Sequence, residues 1–124
     1  MYKRQIKTLS DNFIRAYVWF MSNTNHDAYG NYAEAMQYIV PGSELDSRLY
    51  QTIAGQYYAH SKGDDILSIT LNSAMNLGGG NYFADLTFVV DTTGHKGVLQ
   101  TTNNLKLIIS RTDDGLKAAD IASY

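Results

Sequence analysis

The sequence predicts an α+β fold: three N-terminal helices packed on a curved four-stranded antiparallel sheet. Three observations predict it. Before position 65, apolar side chains recur at helical spacing. From Ile66 to Tyr124 they alternate with polar ones at a period of two. The connections within that second half are Gly-rich or Asp-Gly turns, too short for the crossovers that parallel strands require. A chain of 124 residues with 44% hydrophobic content supports one core, so residues 1–124 read as a single domain.

The first helix is expected over residues 3–22. Ile6, Leu9, Phe13, Ala16, Tyr17 and Phe20 form one apolar face, and Ile14, Val18 and Met21 widen it. Lys3, Lys7, Asp11 and Arg15 follow at steps of four on the wet side. The polar segment from Ser22 to Gly30 reads as a loop. A short helix is expected from Tyr32 to Ile39, with Ala35, Met36 and Ile39 inward, and Pro41 stops it. Ser43 caps a third helix, whose Glu44 and Asp46 suit the positive end of the helix dipole. Leu45, Leu49, Ile53 and Tyr57 make its buried edge, and Gly63 ends it or the turn beyond.

In the first strand Leu67, Ile69 and Leu71 share a face opposite Ser68, Thr70 and Asn72. Gly78-Gly79-Gly80-Asn81 turns the chain. The second strand, Asn81 to Asp91, sets Tyr82, Ala84, Leu86, Phe88 and Val90 against Phe83, Asp85, Thr87, Val89 and Asp91. After the turn at Thr92-Thr93-Gly94, a third strand runs from Val98 to Arg111. Its alternation changes phase near Asn103-Asn104, which predicts a bulge there. Asp113-Asp114-Gly115 is a hairpin signal, and Leu116 to Tyr124 is the last strand.

Composition excludes several classes. Net charge is −2, and residues 1–65 and 66–124 are each slightly acidic, so neither half offers a basic surface to nucleic acid. Without cysteine there is no disulfide framework and no thiol nucleophile. The best apolar run, Ala16 to Met21, is too short for a membrane span or a signal-peptide core, so any anchor is expected outside this sequence. His26, His60 and His95 lie in or beside loops, without a second ligand three or four residues away. Neither a metal nor a cofactor is expected. No nucleophile elbow, P-loop or dinucleotide fingerprint occurs.

Helix, short helix, helix and then a long antiparallel sheet is an order that resembles the nuclear transport factor 2-like fold, in which a twisted sheet wraps a long helix as a cone. A narrower resemblance rests on Tyr38-Ile39-Val40-Pro41-Gly42-Ser43-Glu44-Leu45 with Arg48-Leu49-Tyr50, and on Asp114-Gly115-Leu116-Lys117-Ala118-Ala119-Asp120-Ile121. These segments look like the C-terminal extracytoplasmic domain of TcaA-type membrane proteins of Gram-positive bacteria. The pattern departs at Ala118, where families of this fold often carry Trp or another large apolar residue. The glycine triplet is a second departure. The resemblance brings no catalytic residues with it.

Asp85 is the carboxylate with the sharpest alternatives. Turned into the cone, it would gain a raised pKa and act as a general base beside a tyrosine. Grouped with Thr87 on the wet face it would stay an ordinary carboxylate, and strand alternation favours this. Tyrosines number ten, with Tyr50, Tyr57 and Tyr58 on the third helix and Tyr17 beside Trp19 on the first. They suit either a binding surface or the rim of a core. The candidate ligand-binding residues are Tyr17, Trp19, Tyr57, Tyr58 and Asp85. No catalytic set emerges.

The resemblance implies a non-catalytic module that binds a protein or cell-envelope component, outside the cytoplasm of a Gram-positive bacterium. Charge and the short apolar runs add the expectation of no nucleic-acid partner and no membrane insertion by this segment. A homodimer through the exposed sheet face is expected by analogy with the fold. Two rivals remain: a pocket enzyme or ligand-binding protein similar to ketosteroid isomerase or polyketide cyclase, which would be cytoplasmic, and an assembly domain of a conjugation or secretion complex.

Overall fold

The computed structural model describes residues 2–20, 28–55, 64–94 and 97–123. Helices α1 (Tyr2–Phe20), α2 (Ala28–Met36) and α3 (Glu44–Gly55) precede strands β1 (Asp64–Gly78), β2 (Asn81–Gly94), β3 (Gly97–Thr112) and β4 (Gly115–Ser123). The strands make one antiparallel sheet in the order β1-β2-β3-β4, so each pairs with its neighbour in sequence. The architecture is α+β.

Helix α1 buries Ile6, Leu9, Phe13, Ala16 and Phe20, together with Ile14 and Val18. It lies against both edge strands, β1 and β4, and against α2. Tyr17 is only partly buried, with its ring stacked on Phe13 at 5.5 Å. One polar residue, Ser10, is fully buried within this apolar set, and its hydroxyl has no hydrogen-bond partner among the described residues. An unpaired buried hydroxyl costs about 1–3 kcal/mol, and alanine is also the better helix former. Ser10→Ala is therefore expected to stabilise the domain by about 1 kcal/mol. The check is a higher urea midpoint at unchanged slope. A lower midpoint would mean that the hydroxyl has a partner after all.

Helix α2 runs earlier than the expected Tyr32 to Ile39 and takes in part of the segment read as a loop. Its end moves because tertiary pairing claims the residues after Met36. The N–H of Ala118 donates to the Tyr38 carbonyl at 2.7 Å, and the N–H of Val40 donates to the Ala118 carbonyl at 2.8 Å. Ile39 thus leaves the helix and forms a parallel bridge to Ala118 on the outer edge of β4. Both residues are fully buried. The small side chain at 118 is explained by this neighbour, since Ile39 supplies bulk beside it. Ser43 caps α3 as expected, accepting from the N–H of Asp46 at 3.3 Å. Leu45 and Leu49 are buried, whereas Tyr57 and Gly63 lie outside the described residues.

On β2 the residues Tyr82, Ala84, Leu86, Phe88 and Val90 are all buried beneath the helices, and on β3 so are Leu105, Leu107 and Ile109. The expected bulge at Asn103-Asn104 is absent. Pairing of β2 with β3 runs unbroken from Asn81↔Ser110 to Gly94↔Gly97. Asn103 stands opposite Phe88 and Thr101 opposite Val90, on the helix-facing register. Polar residues in inward positions, not a backbone irregularity, make the apparent change of phase.

The irregularities sit on the edge strands. β1 shifts register at Leu67, Asn72 and Leu77, and β4 shifts twice. These bulges correct the phase read for β1. Leu67 does not share a face with Ile69 and Leu71; it is 51% exposed, and Ile66, opposite Val90, packs on the core instead. Bulges spoil an edge as a template for another chain's strand. The β4 edge is also covered, by the bridge at Ala118 and by Arg48 of α3, whose guanidinium donates to the Ile121 carbonyl at 3.3 Å. At the β1–β2 hairpin Gly78, Gly79 and Gly80 hold φ of 86°, 62° and 80°, a left-handed run that side chains resist.

Candidate functional site

The stripe of α1 adjoining the buried one is exposed. Arg4, Thr8, Asn12, Arg15 and Trp19 follow at steps of four, four, three and four, which aligns them along one line of the helix. Arg4, Thr8, Asn12, Arg15 and Trp19 are all exposed, Trp19 by 55%. Two recesses open beside this line. The larger, of about 610 Å³, lies between the N-terminal half of α1, the Gln37–Tyr38 turn and the β3–β4 hairpin, with Arg4, Arg111 and Lys117 in its wall. The smaller, of about 320 Å³, lies between α1 and α2 and contains Arg15, Trp19 and Glu34. Asn12 and Tyr38 line both, so the two form one trough. The Tyr38 backbone is pinned to β4, which fixes the junction.

The charge of the trough is positive, although the whole chain is acidic. Among the described residues, Asp114 and Glu34 are the carboxylates in the walls. Glu34 accepts from the Gln37 amide at 2.8 Å, and Lys117 is 3.9 Å from Asp114. Arg111 is oriented by Tyr82, donating to its hydroxyl at 3.1 Å with the ring centroid 6.0 Å away, and Tyr82 in turn packs on Tyr2. Among the described residues, no ion pair engages Arg4, Arg15 or Arg111. A third recess, of about 340 Å³, lies between α2 and α3, where the Tyr32 hydroxyl donates to Asp46 and its ring meets Tyr50 edge-on. That hydrogen bond to a carboxylate, with some burial, pushes the Tyr32 phenol up to about 12.

Asp85 lies on the other face of the sheet from the helices. Its Oδ1 accepts from the Asn104 amide at 2.7 Å and the Asn72 amide at 3.3 Å, and Asn72 also donates to the Thr87 hydroxyl. These amides hold the carboxyl below the usual aspartate range against the opposing effect of desolvation, and Lys106 adds a smaller lowering effect. Such a group is a poor general base at neutral pH.

The five residues singled out from sequence do not converge. Trp19 lines the trough. Tyr17 packs at the core margin, where burial raises its phenol pKa and Arg48 offsets part of that. Asp85 is on the open face, and Tyr57 and Tyr58 lie outside the described residues, as do His26, His60 and His95. Sequence reading missed Arg4, Arg111, Lys117 and Tyr38. The row of polar residues on α1 was a readable signal. Its opposite wall comes from a hairpin about a hundred residues away, and only the fold brings it near.

No family model matches the chain, and no curated protein does. Solved structures do match. The intermembrane space region of the chloroplast protein ARC6 superposes with a TM-score of 0.64 at 8% identity, covering 96% of this chain and 93% of that one. An NTF-2 like protein of unknown function from Shewanella oneidensis MR-1 gives a TM-score of 0.55 at 13% identity, covering 96% and 95%. At such identities the likeness shows the fold alone, which is NTF2-like.

Proposed function

We propose that this domain is a non-catalytic interaction module, carried by a larger TcaA-type protein on the outer side of a Gram-positive cell membrane. One observation carries the first half of this reading. The helix-facing side of the sheet is filled by the protein's own side chains, with Phe13, Phe20, Leu86, Phe88 and Leu107 at 0–1% exposure. The recesses lie outside, along α1 and the β3–β4 hairpin, where a partner chain can reach them. The enzyme reading needs a dry carboxylate, and Asp85 is instead held ionised by amides on the open face.

The envelope assignment rests on the TcaA-like pattern. Its two segments, 38–50 and 114–121, adjoin in the fold: Tyr38 and Val40 bond Ala118, and Arg48 sits 3.5 Å from Asp120. We also read the sheet as curved around α1 into a cone. Supporting this, α1 approaches the edge strands β1 and β4 more closely than the central pair, and edge bulges increase local twist.

Intact cells treated with protease test location: loss of the domain from unlysed cells is expected, and full protection until lysis would make it cytoplasmic. A photo-crosslinking amino acid at Arg15 tests the interaction, with a discrete adduct to another protein expected. Adducts absent at every surface position would contradict the reading.

A second copy is the reading for the open face, where Met75, Phe83 and Ile108 adjoin across β1, β2 and β3, Met75 being 58% exposed. Sedimentation equilibrium should show a dimer that Phe83→Glu dissociates. A monomeric parent protein would remove this proposal.

A further inference from the structure

We propose that the trough along α1 binds an extended acidic peptide about seven residues long, with a large apolar side chain at its Trp19 end. This deepens the interaction reading and rests on it. The length follows from the helix: fifteen residues separate Arg4 from Trp19, about 22 Å at the helical rise, and an extended chain covers that in about seven residues. The sign of the partner follows from charge. Arg4, Arg15, Arg111 and Lys117 face the trough with Asp114 and Glu34 as the opposing carboxylates, on a domain whose net charge is −2. Three of these cations are arginines without an ion pair among the described residues, and Arg111 is already oriented by Tyr82. An oriented guanidinium takes a carboxylate in two parallel hydrogen bonds with less ordering left to do.

The lining between the charges favours a polypeptide. Gln5, Asn12 and Gln37 carry amides, which match the alternating N–H and C=O groups of an extended backbone. Trp19, 55% exposed, offers a large apolar surface at the far end, the kind of side chain that anchors protein contacts. Arg4 and Arg15 stand about 17 Å apart along α1, and four cations on such a trough are sparse for a nucleic-acid track, where charge repeats far more closely.

The test uses a capped heptapeptide of alternating Asp and Glu ending in Phe, and a counterpart with Lys at every acidic position. Trp19 is the single tryptophan of the chain, so its emission reports the trough. Acidic peptide is expected to shift that emission and the backbone amide signals of residues 4–19 and 111–117. Added salt should weaken binding, and Arg4→Gln combined with Lys117→Gln should weaken it about tenfold or more. Both positions are replaced without reversing charge, and an unchanged circular dichroism spectrum will show that the fold is kept. Equal binding of the Lys counterpart, or no amide shifts at millimolar acidic peptide, would overturn the proposal. Displacement of the peptide by an equal concentration of inorganic phosphate would also overturn it, leaving a simple anion site. If crosslinks in cells map to Met75 and Phe83 while the trough stays silent, the interaction reading stands and this inference fails.

Discussion

Leu86→Ala is expected to cost about 2–5 kcal/mol of stability, enough to leave a domain of this size marginal. Leu86 has no exposed surface and lies on β2, which is flanked on both sides, opposite Leu71 on β1 and Leu105 on β3. A central strand beneath helices cannot relax easily into the space that the deletion leaves, so both the transfer and the cavity components are felt. Urea melts followed by circular dichroism measure the loss. A change below about 0.5 kcal/mol would place Leu86 on a wet surface and reverse the phase of β2.

Phe13→Ala tests the other half of the core and should cost about 3–5 kcal/mol. Phe13 is fully buried at the middle of α1, and its ring stacks on Tyr17. Removing it strips the helix of its central contact with the sheet. The loss should appear as a lower midpoint in thermal and urea melts, with α1 and sheet signals melting together. Separate transitions would mean that α1 is not part of a common core.

Why was this much of the fold readable? β2 alternates without interruption because it is central, covered on one face only, and paired along its length. Side-chain period therefore equals backbone period, and Tyr82 to Val90 announce their face. β1 was misread because each bulge inserts a residue, and nothing local in Leu67 or Asn72 marks it as the extra one. The apolar spacing of Ile39 fits a continuation of α2. Its place is set by Ala118, about eighty residues on, and no local propensity encodes that pairing. The trough was illegible for the same reason. Arg4 and Arg111 look like ordinary surface charges until the β3–β4 hairpin lies beside α1. Asp85 was the reverse case, since strand parity alone carried it to the open face. Its partners Asn72 and Asn104 could not be named, because one is a bulge residue and the other sat at a supposed break.

The titration of Asp85 bears most directly on whether this is a binding module or a pocket enzyme. Its carboxyl carbon, followed by NMR from neutral pH downward, reports protonation at that one site. Hydrogen bonds from Asn104 and Asn72 favour the charged form, so the folded pKa lies below the ordinary value of 3.8. The sign is that of a depressed acid: its stabilising contribution is present above 3.8 and disappears as pH falls through the lower, folded midpoint. The predicted result is a midpoint under 3.8 that rises toward it in Asn104→Ala. A midpoint above about 6 would mean a desolvated carboxyl poised as a general base, and would contradict the non-catalytic reading.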